Sequence, residues 1–287
     1  MAGASMKAIK SRIKSVESTM QITKAMELVA SSKLRRAKLE AENTRPFFAV
    51  LRETIGGIVT NFQDVSSAFL EEHGEEEGCC YIVIAGDRGL AGGYNNNLFR
   101  AADGMMVPGR DCVLPIGKKS IEHYVRRDVE ILTDRFDLAA DVGVADSVEI
   151  SSLLCRYYLQ KKFGRVTLVY TEFVNMLSQE VMTERLLPLR KEDFVEEKRS
   201  GMAELTLYEP SEQEVLDSVI PQFLSGMIYS AGREAAAAEQ AARRTAMNSA
   251  NKNAGELVDN LTLHYNRARQ AVITQEITEI VAGAEAL

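Results

Sequence analysis

Apolar residues recur at steps of three and four over both ends of the chain, and this spacing is lost in the middle. From residue 5 to residue 55 the stripe begins Ile9, Ile13, Val16, Met20 and continues through Thr23, Met26 or Val29, Leu34, Ala37 and Ala41. That period gathers the side chains on one helical face. Lys7, Lys10, Arg12, Lys14, Lys24, Lys33, Arg35, Arg36 and Lys38 flank it. Pro46 is expected to bend or break the helix, and Gly56-Gly57 to end it. A second helix is expected from 222 to 284, opening after Pro221, a residue suited to a first turn. Its stripe reads Ile228, Ala231, Ala235, Ala238, Ala242, then Ala246, Ala250, Ala254, Leu257, Leu261, Tyr265, Ala268 and Val272. Gly232 and Gly255 each cost about 1 kcal/mol against alanine, so they are expected to mark close approach or local bending.

Neither stripe is stable facing water, and both segments join the same middle region, near 56 and near 215. They are expected to pair antiparallel, and a mean period near 3.5 gives a left-handed coiled coil. The second helix is longer by about 12 residues, or about 18 Å. Its far end should therefore project past its partner, with Val272, Ile273, Ile277, Ile280, Val281 and Leu287 left for another molecule's sleeve.

Between the ends the pattern is that of strands and short helices. Strands are expected at 79–85, 112–117, 129–132 and 165–173, with further strand at 176–188 and 203–209. Helices are expected after the glycine-rich turn at 86–93, at 120–127 and at 147–162. Alternation of this kind predicts an α/β layer with a largely parallel sheet. The fold class is therefore α/β: a long antiparallel coiled coil of the N- and C-terminal helices with a central α/β domain. The expected divisions are 1–57 for the first helix, 58–78 for an acidic linker, 79–209 for the central domain and 210–287 for the second helix.

Charge sharpens this division. Residues 1–52 hold eleven Lys and Arg against four Glu, whereas residues 53–221 hold 17 against 30 acidic residues. A basic helix can meet nucleic acid, an anionic membrane or an acidic protein surface, and the acidic middle domain argues against a dedicated nucleic-acid binder. No run of 18 apolar residues suggests a membrane span, and the basic amino end lacks the apolar stretch of a secretion signal. Cys79, Cys80, Cys112 and Cys155 lack metal-ligand spacing and are expected as reduced, partly buried thiols. His73, His123 and His264 are too scattered for a metal site.

Two motifs invite an enzymatic reading. Gly86, Gly89, Gly92 and Gly93 follow a strand, but as G-x-x-G-x-x-G-G rather than G-x-G-x-x-G, so a tight strand exit is the expectation. Gly117-Lys118-Lys119-Ser120 lacks the glycine spacing of a phosphate loop. Asp87-Arg88 is expected as a salt-bridged turn. No catalytic residue, cofactor-binding residue or metal ligand is expected.

Three blocks of sequence carry a family resemblance. The first is Ile9 to Val16 (IKSRIKSV) with Thr19 and Gln21 to Ala30 (QITKAMELVA). The second is Asp87 to Asn95 (DRGLAGGYN). The third is Tyr265 to Val281 (YNRARQAVITQEITEIV). Together they span both helices and the middle domain, and the chain resembles the gamma subunits of F-type ATP synthases. Ala91 stands where many relatives carry cysteine. The dithiol segment of the chloroplast form is missing, so redox gating is not implied and the bacterial type fits better.

The resemblance implies a central rotating shaft that couples ion flow through a membrane ring to ATP synthesis or hydrolysis on beta subunits, with no chemistry of its own. It implies three alpha and three beta subunits around the coiled coil, an epsilon subunit and a ring of c subunits at the globular part. No nucleic acid is implied. Membrane contact runs only through the complex, on the cytoplasmic side of the bacterial membrane. Lys24, Arg36, Arg267, Arg269 and Gln270 are the candidates for polar coupling contacts. Met26 is expected near their level against the second helix, and Ile273, Ile277 and Ile280 in an apolar seat. The alternatives are a non-rotary coiled-coil adaptor and, less economically, an α/β enzyme with helical arms.

Overall fold

The computed structural model describes residues 2–61, 67–74, 77–127, 129–190, 192, 194, 209 and 211–285. The elements in chain order are α1 (Ala2–Asn61), β1 (Cys79–Ile84), α2 (Tyr94–Asp103), β2 (Cys112–Ile116), α3 (Lys118–Val125), β3 (Glu130–Ile131), α4 (Val144–Leu159), β4 (Arg165–Phe173), β5 (Gln179–Leu187) and α5 (Glu212–Glu285). Contacts group them into two units, one of Met1–Ser31 with Arg243–Leu287, the other of Ser32–Ala242. The strand expected at 203–209 lies outside the described residues but for Glu209, and the expected tip residue Leu287 also lies outside them.

In the second unit the sheet runs β3-β2-β1-β4-β5. The first four strands are parallel, and β5 returns antiparallel to β4. The return is short because Asn175 closes it: its Oδ1 accepts the Leu177 and Ser178 amides at 2.8 and 2.9 Å. This is the local turn chemistry that asparagine favours. Central strands buried on both sides need apolar residues at every position. Cys80, Ile82, Ile84, Leu114, Ile116 and Leu168 face a large core completed by the end of α1, by α4 and by the start of α5. Tyr81, Val83, Val113 and Val169 face a smaller core under α2 and α3.

Both helices of the terminal pair run past the boundaries their glycines and prolines suggest. Gly56-Gly57 does not end α1, which continues to Asn61. Ile55, Ile58 and Val59 are fully buried there, and Gly56 admits the Phe194 ring, whose Cβ would lie 3.3 Å from an added methyl. Pro46 sits inside the same helix without breaking it. Nor does Pro221 begin α5. The helix starts at Glu212, where Ser211 Oγ accepts the Glu214 amide at 3.2 Å as an N-cap. Proline inside a helix costs about 3 kcal/mol. Burial of Leu216, Ile220, Phe223 and Leu224 around it offsets that, while Gln222 Nε2 donates to the nearby Ser218 carbonyl at 3.3 Å.

In the first unit α1 and α5 pair along a heptad seam. Met6, Ile9, Ile13, Val16, Met20, Thr23, Glu27 and Ala30 turn inward on α1. Met247, Asn251, Ala254, Val258, Leu261, Tyr265, Ala268 and Val272 turn inward on α5. Both series step by three and four, the spacing of knobs-into-holes packing. Met26, not Val29, lies toward the seam, because Val29 is 56% exposed. Val258 takes the place expected for Leu257, which is 40% exposed. Gly232, in the second unit, and Gly255, in the first, are not points of close approach, since a methyl at either would meet no atom within 4 Å. The side chain of Ala41 lies outside the described residues.

Asn251 joins the other polar positions of the seam, Thr23 and Glu27. Its Oδ1 accepts the Thr23 hydroxyl, and its Nδ2 donates to Glu27 Oε2 at 3.1 Å. A single amide set into such a seam fixes register in paired helices. Asn251→Ala should therefore cost about 1 kcal/mol, seen as a lower urea midpoint of the helical circular dichroism signal. An unchanged midpoint would show the bonds to be idle.

The strand pair β4–β5 carries a second testable group. Burial pushes the Glu184 carboxyl above its ordinary range, with the Tyr170 hydroxyl (3.0 Å) and Arg52 pulling the other way. A raised folded-state value means that the protonated form is favoured on folding. That contribution is complete below the unfolded-state pKa and is lost as pH rises through the raised value. Glu184→Gln keeps an acceptor for Tyr170 and should raise Tm by about 2 °C at neutral pH. Near pH 4 the gain should vanish; an equal gain at both pH values would exclude this cause.

Candidate functional site

The surface of the paired helices carries most of the expected contact residues. On α1, Lys24 points outward and Met26 is half-buried beside the seam. Thr23 lies against Asn251, which sets Met26 level with the Met247–Asn251 turn of α5. Arg267, Arg269 and Gln270 are all exposed on α5, but they begin 16 residues beyond Asn251, about 24 Å along the helix. Lys24 and Met26 therefore form one level, and Arg267, Arg269 and Gln270 another. The expectation of one shared level is corrected by the register.

Beyond the second level α5 loses its cover. Val272 is the last half-buried one of the described residues, and every side chain from Ile273 to Ala282 is exposed. Ile273 is 45%, Ile277 57% and Ile280 71% exposed, with Val281 beside them. Isoleucines four and three apart share one face of a helix, so the tip presents an apolar strip with nothing of this chain against it among the described residues. Glu276 and Glu279 alternate with that strip, as does Gln275, whose amide donates to Glu279 Oε1 at 2.9 Å.

Arg36 belongs to the other unit and has a local partner. Its Nε donates to Glu40 Oε1 at 2.9 Å, and Glu40 Oε2 accepts from Arg233 Nη1 at 3.1 Å. The Arg36 hydrogen bond, with that of Arg233, holds the Glu40 carboxyl below its usual range despite the cost of burial. Arg233 also donates to the carbonyls of Val142 (2.6 Å) and Ala140 (3.3 Å), with its guanidinium 5.2 Å from the Tyr229 ring centroid. One buried cation thus ties α1, α5 and the loop before α4. Charged residues inside an alanine stripe, at Arg233, Glu234 and Glu239, were the sequence signal for it.

The glycine-rich turn is absorbed by the fold. It leaves β1 at the switch of strand order between β1 and β4, where open α/β sheets hold their ligands. Here α5 approaches that edge. A methyl on Gly86 would stand 2.6 Å from Glu239 Oε1. The Tyr94 hydroxyl donates to the Ala235 carbonyl at 3.1 Å, and the Gly86 amide donates to Asn95 Oδ1 at 2.9 Å. Asp87 serves backbone amides, Ala139 at 2.7 Å, Ala140 at 3.3 Å and Lys118 at 3.4 Å. At the other motif, Gly117 adopts φ 94°, the Ser120 hydroxyl donates to the Val83 carbonyl at 2.9 Å, and Lys119 pairs with Glu122 at 2.6 Å. The four cysteines are free and buried, and burial pushes the Cys79 and Cys155 thiols up to about 11. No group of three metal-ligating side chains occurs among the described residues, and none of their helices is long and apolar enough to cross a membrane.

With this geometry in hand, comparisons with known proteins are informative over the whole chain. A family model described as ATP synthase matches residues 5–287. The ATP synthase gamma chain of Ruminococcus albus is 44% identical over 286 residues, with 98% of each chain covered. That of Alkaliphilus metalliredigens is 44% identical over 288 residues, with 99% of each covered. Among solved structures, a chain of the Euglena gracilis mitochondrial ATP synthase (OSCP/F1/c-ring, rotational state 3) superposes with a TM-score of 0.68 at 18% identity. It covers 99% of this chain and 95% of its own, a likeness of fold. A seam of paired terminal helices, a five-stranded sheet with α5 at its ligand edge, and identity of this extent agree: the chain belongs to the ATP synthase gamma-chain family.

Proposed function

We propose that this chain is the central shaft of an F-type ATP synthase, turning inside a ring of three alpha and three beta subunits. Torque passes between a membrane ring of c subunits and the nucleotide sites of the beta subunits. The observation that carries this reading is the full-length likeness to gamma chains in a protein whose paired helices end in an uncovered isoleucine strip. A shaft needs a stiff body, a tip that slides in an apolar seat, and a charged flank that meets each surrounding subunit in turn. The heptad seam supplies the first. Ile273, Ile277 and Ile280 are assigned to the second. Lys24, Arg267, Arg269 and Gln270 are assigned to the third, with Met26 supporting Lys24 and with Arg36 as a contact of the other unit. Exposed cations on such a flank steer and register contacts more than they bind tightly, which suits a surface that must release at every step.

The chemistry of ATP belongs to the beta subunits in this reading, and the epsilon subunit and c ring bind the α/β unit. The assembly stands on the cytoplasmic side of a bacterial membrane, with protons or sodium ions as the driving flow.

Two measurements test the proposal. Co-expression with the alpha and beta subunits should give a complex of three, three and one by native mass measurement; three symmetric copies of this chain would exclude a central shaft. In that complex, Lys24→Cys joined by a disulfide to a beta-subunit cysteine should abolish ATP turnover, with full recovery on reduction. Undiminished turnover in the joined complex would leave a static adaptor.

A further inference from the structure

A helix turns with its sheet only if something keeps it from twisting in its seat. In the second unit the stretch Arg233–Ala241 of α5 meets four separate pieces of chain. Ala237 and Ala241 pack with Leu34 and Ala37 of α1, and Phe173 and Met176 at the β4–β5 return lean on the same cluster. Ala238 packs on Ala91 of the glycine-rich turn and on Tyr94 of α2, while Glu239 stands against Gly86. Arg233 reaches the loop before α4. At about 100° per residue, the positions from Arg233 through Ala237, Ala241 and Ala238 to Glu239 occupy about two thirds of the helix circumference.

The alanine part of that grip is smooth. Methyl groups offer dispersion contacts, which are individually weak and have no direction. Resistance to twisting needs directional bonds, and those held far from the helix axis act with the longest lever. The buried Arg233 is such a group. It donates to the carbonyls of Val142 (2.6 Å) and Ala140 (3.3 Å), and at 3.1 Å to Glu40 Oε2, a charge-assisted bond. The loop that it holds is fastened in turn to the sheet. Asp87, beyond β1, accepts the amides of Ala139 at 2.7 Å and Ala140 at 3.3 Å. The Phe136 carbonyl accepts the amide of Gly117, just past β2, at 2.8 Å. Ala140 is therefore bound on both sides, its amide to the sheet end and its carbonyl to α5. Glu40 brings α1 into the same chain of bonds, and the Tyr94 hydroxyl adds one more to the Ala235 carbonyl at 3.1 Å.

We propose that Arg233 is a positioning residue for rotation: through Glu40, the 139–142 loop and Asp87 it locks α1 and α5 to the sheet, so that this unit turns as one body under load. The proposal rests on the shaft function above. When ATP hydrolysis drives ions against a potential, the surrounding subunits and the membrane ring twist this unit in opposite senses, and the joint carries the load. Without it the alanine contacts still seat the helix. An unloaded rotor then turns normally, and a loaded one yields.

The test uses inverted membrane vesicles carrying the complete synthase. ATP hydrolysis is followed together with membrane potential, read by a voltage-sensitive dye that reports protons and sodium ions alike. In Arg233→Met, hydrolysis should match the wild type while an ionophore collapses the potential. Ions moved per ATP against a built-up potential should fall about 3-fold, the scale of mutations along a coupling network. Arg233→Lys keeps a charge opposite Glu40 but cannot span it and both carbonyls. It should show the same loss to a smaller degree, and it decides the matter if Arg233→Met does not assemble. Wild-type ions per ATP under load in the variant that assembles would overturn the joint. So would a fall in hydrolysis of equal size with and without load, the mark of a merely damaged subunit. A wild-type complex that hydrolyses ATP but moves no ions would sink the shaft reading, and the joint with it.

Discussion

The structure depends on mutual covering of two apolar helical stripes. A helix can satisfy its own backbone but not its own apolar face, and isolated helices draw little stability from propensity alone. In the first unit α1 and α5 solve this for each other with matching heptads, from Met6 to Ala30 on one and Met247 to Val272 on the other. Asn251 then selects one register among those that a repeating pattern permits. The exposed tip follows from that choice. With Thr23 held at Asn251, α1 runs out near Ala2 while α5 continues to Glu285, so Ile273, Ile277 and Ile280 lose their partner through the difference in helix length.

In the second unit the same covering is extended to a sheet. Ala237 and Ala241 pack on Leu34 and Ala37 of α1, while Ala238 packs on Ala91 and Tyr94 at the sheet's edge. Only short side chains let one helix meet two surfaces at such distances, and alanine does so with no loss of helix propensity. Charges set into this stretch are then buried by necessity, and Arg233 shows the condition for keeping one. Its donors are shared between a carboxylate and two carbonyls, so the cation is not left unpaired in a medium that would penalise it.

Much of this was legible in the residues because period and burial agree. The strands β1 and β2 are unbroken apolar runs, β4 is apolar at most of its centre, and the helical stripes repeat over many turns. Legibility failed where a local rule met a stronger tertiary one. Pro221 and Gly56-Gly57 look like boundaries, yet the buried residues on either side carry the helix through. The true start of α5 was written in Ser211-Glu212-Gln213-Glu214, a serine with glutamate three positions on, and the proline masked it. Leu257 and Val258 illustrate a finer limit. Either fits the stripe by hydrophobicity, and only the geometry of the pair decides which turns in. The exposed charge and the apolar tip were legible, but not their levels along the helix, because register depends on a single amide pairing across more than two hundred residues.

The glycine-rich turn and the Gly117–Ser120 motif are put to structural use in the α/β unit. The features that suggest chemistry are each consumed by the fold. Asp87 holds three backbone amides, Ser120 caps the Val83 carbonyl, Lys119 answers Glu122, and the mouth between β1 and β4 is closed by Glu239 and Ala235 of α5. A sheet edge that elsewhere opens on a ligand here grips a helix. The Tyr94 hydroxyl, at the start of α2, fastens α5 there through the Ala235 carbonyl. Lys24, Arg267, Arg269 and the tip isoleucines, which we propose as partner contacts, are by contrast exposed on α1 and α5. Side chains without an internal role are the ones free to serve a partner.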